Sequence, residues 1–229
     1  MLRGAISRYR LRVVRGVEKY GFREAIRRAA RNAVVVDDEY VWYALDLERL
    51  TPIPLREGYE LRQATEDDVG LLRSVPAIPV EEGRKRLARG EQLWFVMHGE
   101  EPAFACTVFL HILPLEAARK RSYRLPPRVA CVDDGLTNRQ YRGRAIAAAA
   151  WVAIGEALRA SGYQVLIAKV PLDNIPSRRT HEKTGFQPMS TMRRRRRGVR
   201  TRVRFEDTDA ELTDVERLAL AHLRAHVSR

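Results

Sequence analysis

Cysteine is nearly absent from this chain. Cys106 and Cys131 are the only two in 229 residues, and each lies in an apolar, strand-like run. That excludes a disulfide framework and a cysteine-built metal cluster, and it leaves two buried thiols acting as small hydrophobes in a reducing cytosol. Long apolar runs are missing too: the stretch from Ala145 to Gly155 stops at Glu156, short of the roughly 18 to 20 residues a membrane span needs. The arginine-rich beginning has no continuous apolar segment of the kind a secretion signal carries, so a cytoplasmic protein is expected. No Gly-Lys-Ser or Gly-Lys-Thr follows a glycine-rich turn, which argues against ATP or GTP hydrolysis on a P-loop. Aromatics make up only 7% of the residues, and Trp42, Trp94 and Trp151 all sit in apolar runs that suit a core better than a stacking platform.

Lysine is also scarce. Only Lys19, Lys85, Lys120, Lys169 and Lys183 occur among 42 basic residues, so the net charge of +13 is carried by arginine. It is also local. Residues 1–32 hold ten Lys/Arg against two Glu, and residues 193–204 hold eight Arg and no acid, so the rest of the chain is slightly acidic. Basicity is therefore a property of two surfaces. Two partners fit such blocks, RNA and an anionic membrane. The plainer readings are a solvated face in a proteome that prefers Arg to Lys, and, for residues 1–32, a packing or homodimerisation arm.

The length accommodates one domain of about 150 to 170 residues with extensions. In residues 22–31, Phe22, Ala25, Ile26, Ala29 and Ala30 recur at helical spacing opposite arginines, giving a basic amphipathic helix. Val34 to Val36 and Tyr40 to Leu47 read as two short strands around Asp37-Asp38-Glu39, and Thr51-Pro52-Ile53-Pro54 as a linker. Helices are expected at 66–74 and 80–89. Strands at 93–97 and 103–110 flank a hairpin turn, and 112–127 reads as a loop. A strand over 128–137, a helix over 144–160 and a strand over 164–170 follow. The chain ends with a hairpin in which Val199, Thr201, Val203 and Phe205 alternate with arginines, then a helix over 210–227 using Leu212, Val215, Leu218 and Leu220.

The chemistry concentrates after the strand that ends in Asp133-Asp134-Gly135-Leu136-Thr137. Gln140-Tyr141-Arg142-Gly143-Arg144-Ala145 opens an Ala-rich helix, where a glycine lets backbone approach an anion and the first helical amides point at it. Arg142 and Arg144 add positive charge. Further on, Asn174-Ile175-Pro176-Ser177 starts a short helix that ends in His181-Glu182-Lys183-Thr184-Gly185-Phe186.

These two segments, in order and separated by a helix and a strand, resemble the GNAT superfamily of acyl-CoA N-acyltransferases. The pyrophosphate loop of that family appears here as Gln140, Gly143 and Ala145, and its downstream ending as Glu182-Lys183-Thr184-Gly185-Phe186. The likeness extends back to about Gly58. It implies a mixed α/β (α+β) fold with a central, mostly antiparallel sheet splayed where the acyl-CoA enters, between strands ending near Thr137 and Val170. It also divides the chain into a basic extension (1–55), an acyltransferase domain (56–207) and a C-terminal helix (208–229).

The implied reaction is direct attack of an amine on the thioester of acetyl-CoA or another acyl-CoA, with no metal. The implied acceptor is the primary amine of a small molecule or amino sugar. Leu136, Thr137, Gln140, Arg142, Gly143, Arg144, Ala145, Asn174 and Ser177 are the implied cofactor-binding residues, with the Thr137 amide polarising the carbonyl. The amine must lose a proton, and Asp133 or Asp134 is the acceptor. Consecutive strand residues face opposite ways, so one of them serves: Asp133, which shares parity with Thr137, unless a bulge at Gly135 swaps the faces. The position where the family commonly carries a proton-donating tyrosine is His181, on what reads as an exposed helix; an imidazole can donate near neutral pH but is shorter than a phenol. The competing reading is a non-enzymatic GNAT-like module whose arginine surfaces bind RNA or membrane.

Overall fold

The structure, a computed structural model, describes residues 35–118, 121–197 and 200–227. The chain divides into two compact units, residues 1–38 with 193–204 and residues 39–192 with 205–229. Every candidate catalytic and acyl-CoA-binding residue lies in the second. The expected basic helix over 22–31 falls outside the described residues.

Ten strands and four α-helices are described: β1 (Val35–Asp46), β2 (Tyr59–Gln63), α1 (Val80–Leu87), β3 (Gln92–His98), β4 (Glu101–Phe109), β5 (Ile112–Pro114), β6 (Ser122–Arg124), β7 (Val129–Thr137), α2 (Ile146–Ala160), β8 (Val165–Pro171), α3 (Ile175–Lys183), β9 (Gln187–Arg197), β10 (Arg200–Asp207) and α4 (Asp214–Val227). Eight strands form one sheet in the order β10-β9-β1-β8-β7-β4-β3-β2, and β5 pairs with β6 separately. The β1/β8, β2/β3, β3/β4 and β4/β7 pairs are antiparallel, and β7/β8 is parallel. This is the mostly antiparallel mixed sheet expected.

The strand period of two sorts the core. Tyr43, Val96, Phe104, Cys106, Val132 and Ala168 lie on one face against α2, whose Ile146, Ala150, Ile154 and Leu158 recur every four residues. Phe95, Met97 and Ala105 lie on the other, against Val69 and Leu72 of a 3₁₀ helix at Asp67–Arg73. The helix expected at 66–74 is thus a tighter turn of chain.

Several local expectations give way to tertiary contacts. Residues 35–46 are one twelve-residue strand, not two strands around an acidic turn. The acids tolerate extension because Asp38 accepts from the buried Arg194 of β9 at 2.5 Å. Residues 39–46 accordingly belong to the central sheet, paired with β8, where the sequence reading grouped them with an extension. Within 112–127, Ile112 to Pro114 and Ser122 to Arg124 form a small hairpin.

Helix α4 starts at Asp214 with a reciprocal cap in which the Thr213 amide donates to Glu216 Oε2 (2.8 Å) and the Glu216 amide to Thr213 Oγ1 (3.4 Å). Its buried line runs through Glu216, Ala219, Leu220, Leu223 and Val227, leaving Leu218 69% exposed. The expected apolar stripe was therefore rotated, because Glu216 turns inward to accept from the Asp46 amide (3.2 Å). Among the described residues no helix is long and apolar enough to cross a membrane.

Candidate active site

Strand β7 changes character halfway along. Its first residues pair in parallel with β8, from Val129 opposite Val165 to Val132 opposite Ala168, and there the pairing stops. On its other side it stays paired with β4, but the register shifts: Asp133 lies opposite Thr107, and Leu136 opposite Ala105. Asp134 and Gly135 thus share the single partner position of Cys106, which makes a β-bulge. Asp134 takes the left-handed conformation (φ 55°), which a short polar side chain tolerates.

The bulge decides which groups face where. Thr107 is bonded by Arg86 of α1, whereas Phe104, three residues earlier on β4, packs edge-on against Trp151 of α2. Asp133, opposite Thr107, therefore faces the α1 side, and Thr137, opposite Phe104, faces the α2 side. The expected shared parity of Asp133 and Thr137 does not hold, because the extra residue inverts it. Asp134 also turns to the α1 side, where Arg86 Nη1 reaches its Oδ2 at 2.9 Å. Gly135 fills the α2 side, and a Cβ there would stand 2.6 Å from Trp151 Cη2.

The carboxylates are not equally engaged. Arg86, buried on α1, also donates to Thr107 Oγ1 (2.7 Å) and lies 5.0 Å over the Phe109 ring, so Asp134 is held by a fixed guanidinium. Asp133 Oδ1 accepts the Asp134 amide (2.9 Å), and its Oδ2 sits 3.6 Å from Lys169 Nζ of β8. Burial works to lower the pKa of Lys169, but Asp133 and then Tyr40 outweigh it, so the net direction is upward and the ammonium stays charged. Arg86 and Lys169 were not legible as site residues: nothing near them in sequence ties them to β7.

Past the bulge, the Asn138 amide donates to Ala103 O of β4 (2.8 Å). Strand alternation then turns the Thr137 amide away from β4, toward the side β8 has left. Thr137 O accepts from Arg142 Nε at 3.4 Å. The loop that follows holds two left-handed residues, Gly143 (φ 78°) and Ala145 (φ 58°), the second being the N-cap of α2. Ala145 offers no side-chain cap, and the amides of Ile146, Ala147 and Ala148 precede the first bond back to Ala145 O, made by Ala149 at 3.1 Å.

The loop is braced against the hairpin of β3 and β4. Glu101 Oε2 accepts from both Gln140 Nε2 (2.9 Å) and Tyr141 Oη (2.7 Å), and Arg144 Nη1 donates to Tyr59 Oη (3.0 Å). The Glu101 carboxylate raises the Tyr141 pKa, chiefly through that hydrogen bond. Gln140 is thus a strut of the loop, a role fixed by a residue 39 positions away that the motif could not disclose.

Asn174 is the N-cap of α3 but makes no side-chain cap bond, and its carbonyl accepts the Arg178 amide (3.0 Å). Ser177 O accepts from His181 Nδ1 at 2.8 Å. The histidine is not exposed, as its helix had led us to expect: it is buried, stacked near Tyr43 (5.7 Å between centroids) and Trp151 (5.6 Å) and edge-on to Phe186 (5.0 Å). Burial depresses its pKa, partly offset by the Ser177 carbonyl and Glu182, so the ring is neutral at pH 7. Because a carbonyl only accepts, the single ring proton sits on Nδ1 and is committed to Ser177. Among the described residues no group of three or more His, Cys, Asp or Glu is placed to hold a metal ion.

The chain matches no protein-family model and no curated protein by sequence. Its fold does have solved counterparts. A GCN5-related N-acetyltransferase from Sphaerobacter thermophilus superposes with a TM-score of 0.53 at 12% identity over 82% of this chain and 58% of the other. One from Kribbella flavida gives 0.50 at 12% identity over 82% and 66%, and an acetyltransferase of the GNAT family from Novosphingobium aromaticivorans gives 0.50 at 20% identity over 70% and 64%. The chain spans about three fifths to two thirds of the length of these proteins. At such identities the likeness establishes the fold, and the chain has that of the GNAT N-acetyltransferases.

Proposed function

We propose that this chain is a cytoplasmic, acyl-CoA-dependent N-acyltransferase that moves acetyl from acetyl-CoA to a primary amine of a small molecule or amino sugar. The observation that carries the reading is the parting of β7 and β8 after Val132 and Ala168, with the Thr137 amide turned toward the gap and the Gly143–Ala145 turn beside it.

In this reading the pyrophosphate of acyl-CoA rests on the backbone amides of the Gly143–Ala145 turn and the start of α2, a ready-made anion site. Arg142 and Arg144 neutralise it, Arg144 exchanging its contact with Tyr59 for the phosphate. Leu136 and Thr137 on one lip, and Asn174 and Ser177 on the other, flank the pantetheine arm. Asp133 takes the proton from the incoming ammonium, directly or through one water. It is favoured over Asp134 because Asp134 is held at 2.9 Å by the buried guanidinium of Arg86, whereas Asp133 stands 3.6 Å from the Lys169 ammonium.

The free amine attacks the thioester carbon, and the Thr137 N–H stabilises the resulting oxyanion. Collapse breaks the C–S bond and expels CoA thiolate, and the second proton of the attacking nitrogen passes through water to that thiolate, leaving the neutral amide and CoA thiol, since the one N–H of His181 is already engaged.

Gly143→Glu tests the cofactor assignment. A Cβ at Gly143 meets nothing within 4 Å, so the cost is the left-handed conformation alone, about 1–2 kcal/mol, and the protein stays folded. The added carboxylate then points into the anion site. Calorimetry should show acetyl-CoA binding by the wild type and none by the variant, with amine-dependent thiol release lost in parallel; undiminished binding by a folded variant removes the assignment.

A further inference from the structure

Within the smaller unit, arginines on β9 and β10 alternate between two fates. Arg194 is buried and bonded to Asp38 through Nε (3.1 Å) and Nη2 (2.5 Å), so its charge is answered inside. Arg193 and Arg195 on either side of it are exposed. On β10, Arg202 and Arg204 are exposed while Val203 between them is half-buried. Leaving Arg193 aside, the guanidinium groups of Arg195, Arg202 and Arg204 are exposed on two neighbouring strands, β10 being the last strand of the described sheet. Arg195 meets Asp37 only at 3.9 Å, with both side chains more than half exposed, a separation that leaves the charge largely available.

We propose that this face binds the phosphate backbone of a nucleic-acid duplex without regard to sequence. Alternate residues on a strand repeat about every 6.8 Å, comparable to the through-space separation of neighbouring phosphates on one strand of a duplex, so successive arginines meet neighbouring phosphates. Arginine presents a planar fork that matches a phosphate in two bonds. A membrane surface fits less well, because the exposed large hydrophobic side chains among the described residues are Ile112, Ile175 and Leu218, none on this hairpin. An unpaired strand fits less well too, since among the described residues of β9 and β10 no exposed aromatic is present on which free bases would stack. The inference is independent of the acyltransferase reading, whose residues lie in the other unit.

The test is fluorescence anisotropy of a labelled duplex of about two helical turns, titrated with the full chain and with Arg195→Gln/Arg202→Gln/Arg204→Gln over about 50 to 200 mM salt. Three lost phosphate contacts should flatten the slope of log K against log salt by about 3 and weaken binding at least ~10-fold at the low-salt end. The arginines of residues 1–34 are present in both proteins and cancel in the comparison. Should the triple variant melt early, Arg202→Gln/Arg204→Gln should show about two thirds of the slope change. An unchanged slope, tighter binding to the separated single strand, or retention on phosphatidylserine vesicles without duplex binding overturns the proposal.

Discussion

Replacing Gly135 with alanine should damage both the fold and the acyl-CoA site through a single methyl group. The added Cβ would stand 2.6 Å from Cη2 and 2.8 Å from Cζ2 of Trp151, well inside van der Waals contact. The indole has little room to retreat. It is buried on α2, edge-on to Phe104 at 5.0 Å and stacked near His181 at 5.6 Å. A rigid ring packed against two others cannot swing as the tip of a flexible chain does, so β7 must shift, and overpacking of this kind costs about 1–3 kcal/mol. For a chain of this size that corresponds to a fall in melting temperature of roughly 2 to 12 °C. Trp151→Phe removes the clashing atoms at its own cavity cost, so combining the two substitutions should destabilise by less than the sum of the singles, a coupling readable by urea denaturation. Acetyl-CoA affinity should fall in the single Gly135→Ala variant and recover in the double. A Gly135→Ala protein with wild-type melting temperature, or strictly additive singles, would falsify the bulge geometry and the face assignments that rest on it.

Two further outcomes follow from the same geometry. Asp133→Asn should lower turnover by about 10²- to 10⁴-fold while calorimetric acetyl-CoA affinity stays unchanged, and an equal loss on Asp134→Asn with none on Asp133→Asn reverses the assignment. His181 has a depressed pKa in the folded state, so the unfolded chain binds the proton more tightly and stability falls as pH drops below the ordinary 6.5, levelling only beneath the folded value; His222, lowered by burial and then by His226, adds to the same trend. Denaturant titrations from pH 7.5 to about 5 should therefore show a smaller loss of stability in His181→Phe than in the wild type, and parallel curves would contradict the buried, neutral imidazole.

The carboxylate pair shows where reading from sequence stops. That Asp133 and Asp134 lie near the end of a strand was legible, because an apolar run precedes the two acids and a glycine and a turn follow them. Their orientation was not, since it depends on whether Gly135 shares a partner position, and that is settled by Cys106 and Thr107 on another strand and by an indole sixteen residues on. His181 failed for a related reason: on a short polar helix it looked exposed, and only Tyr43, Trp151 and Phe186, brought together from a strand, a helix and a loop, enclose it. The cap on α4 is the opposite case, a Thr213–Glu216 pattern that was present in the sequence and passed over.

The sequence by itself determined most of the elements and the turn that opens α2. Period-two and period-3.6 patterns are local, and a glycine followed by an alanine-rich helix makes an anion site from backbone alone, whatever surrounds it. Only the tertiary structure decided which charges meet: Arg86 with Asp134, Lys169 with Asp133, Glu101 with Gln140 and Tyr141. Those pairs join residues 36 to 48 positions apart across different elements, and ion pairs form only between groups a few ångströms apart, a proximity that no spacing along the chain encodes.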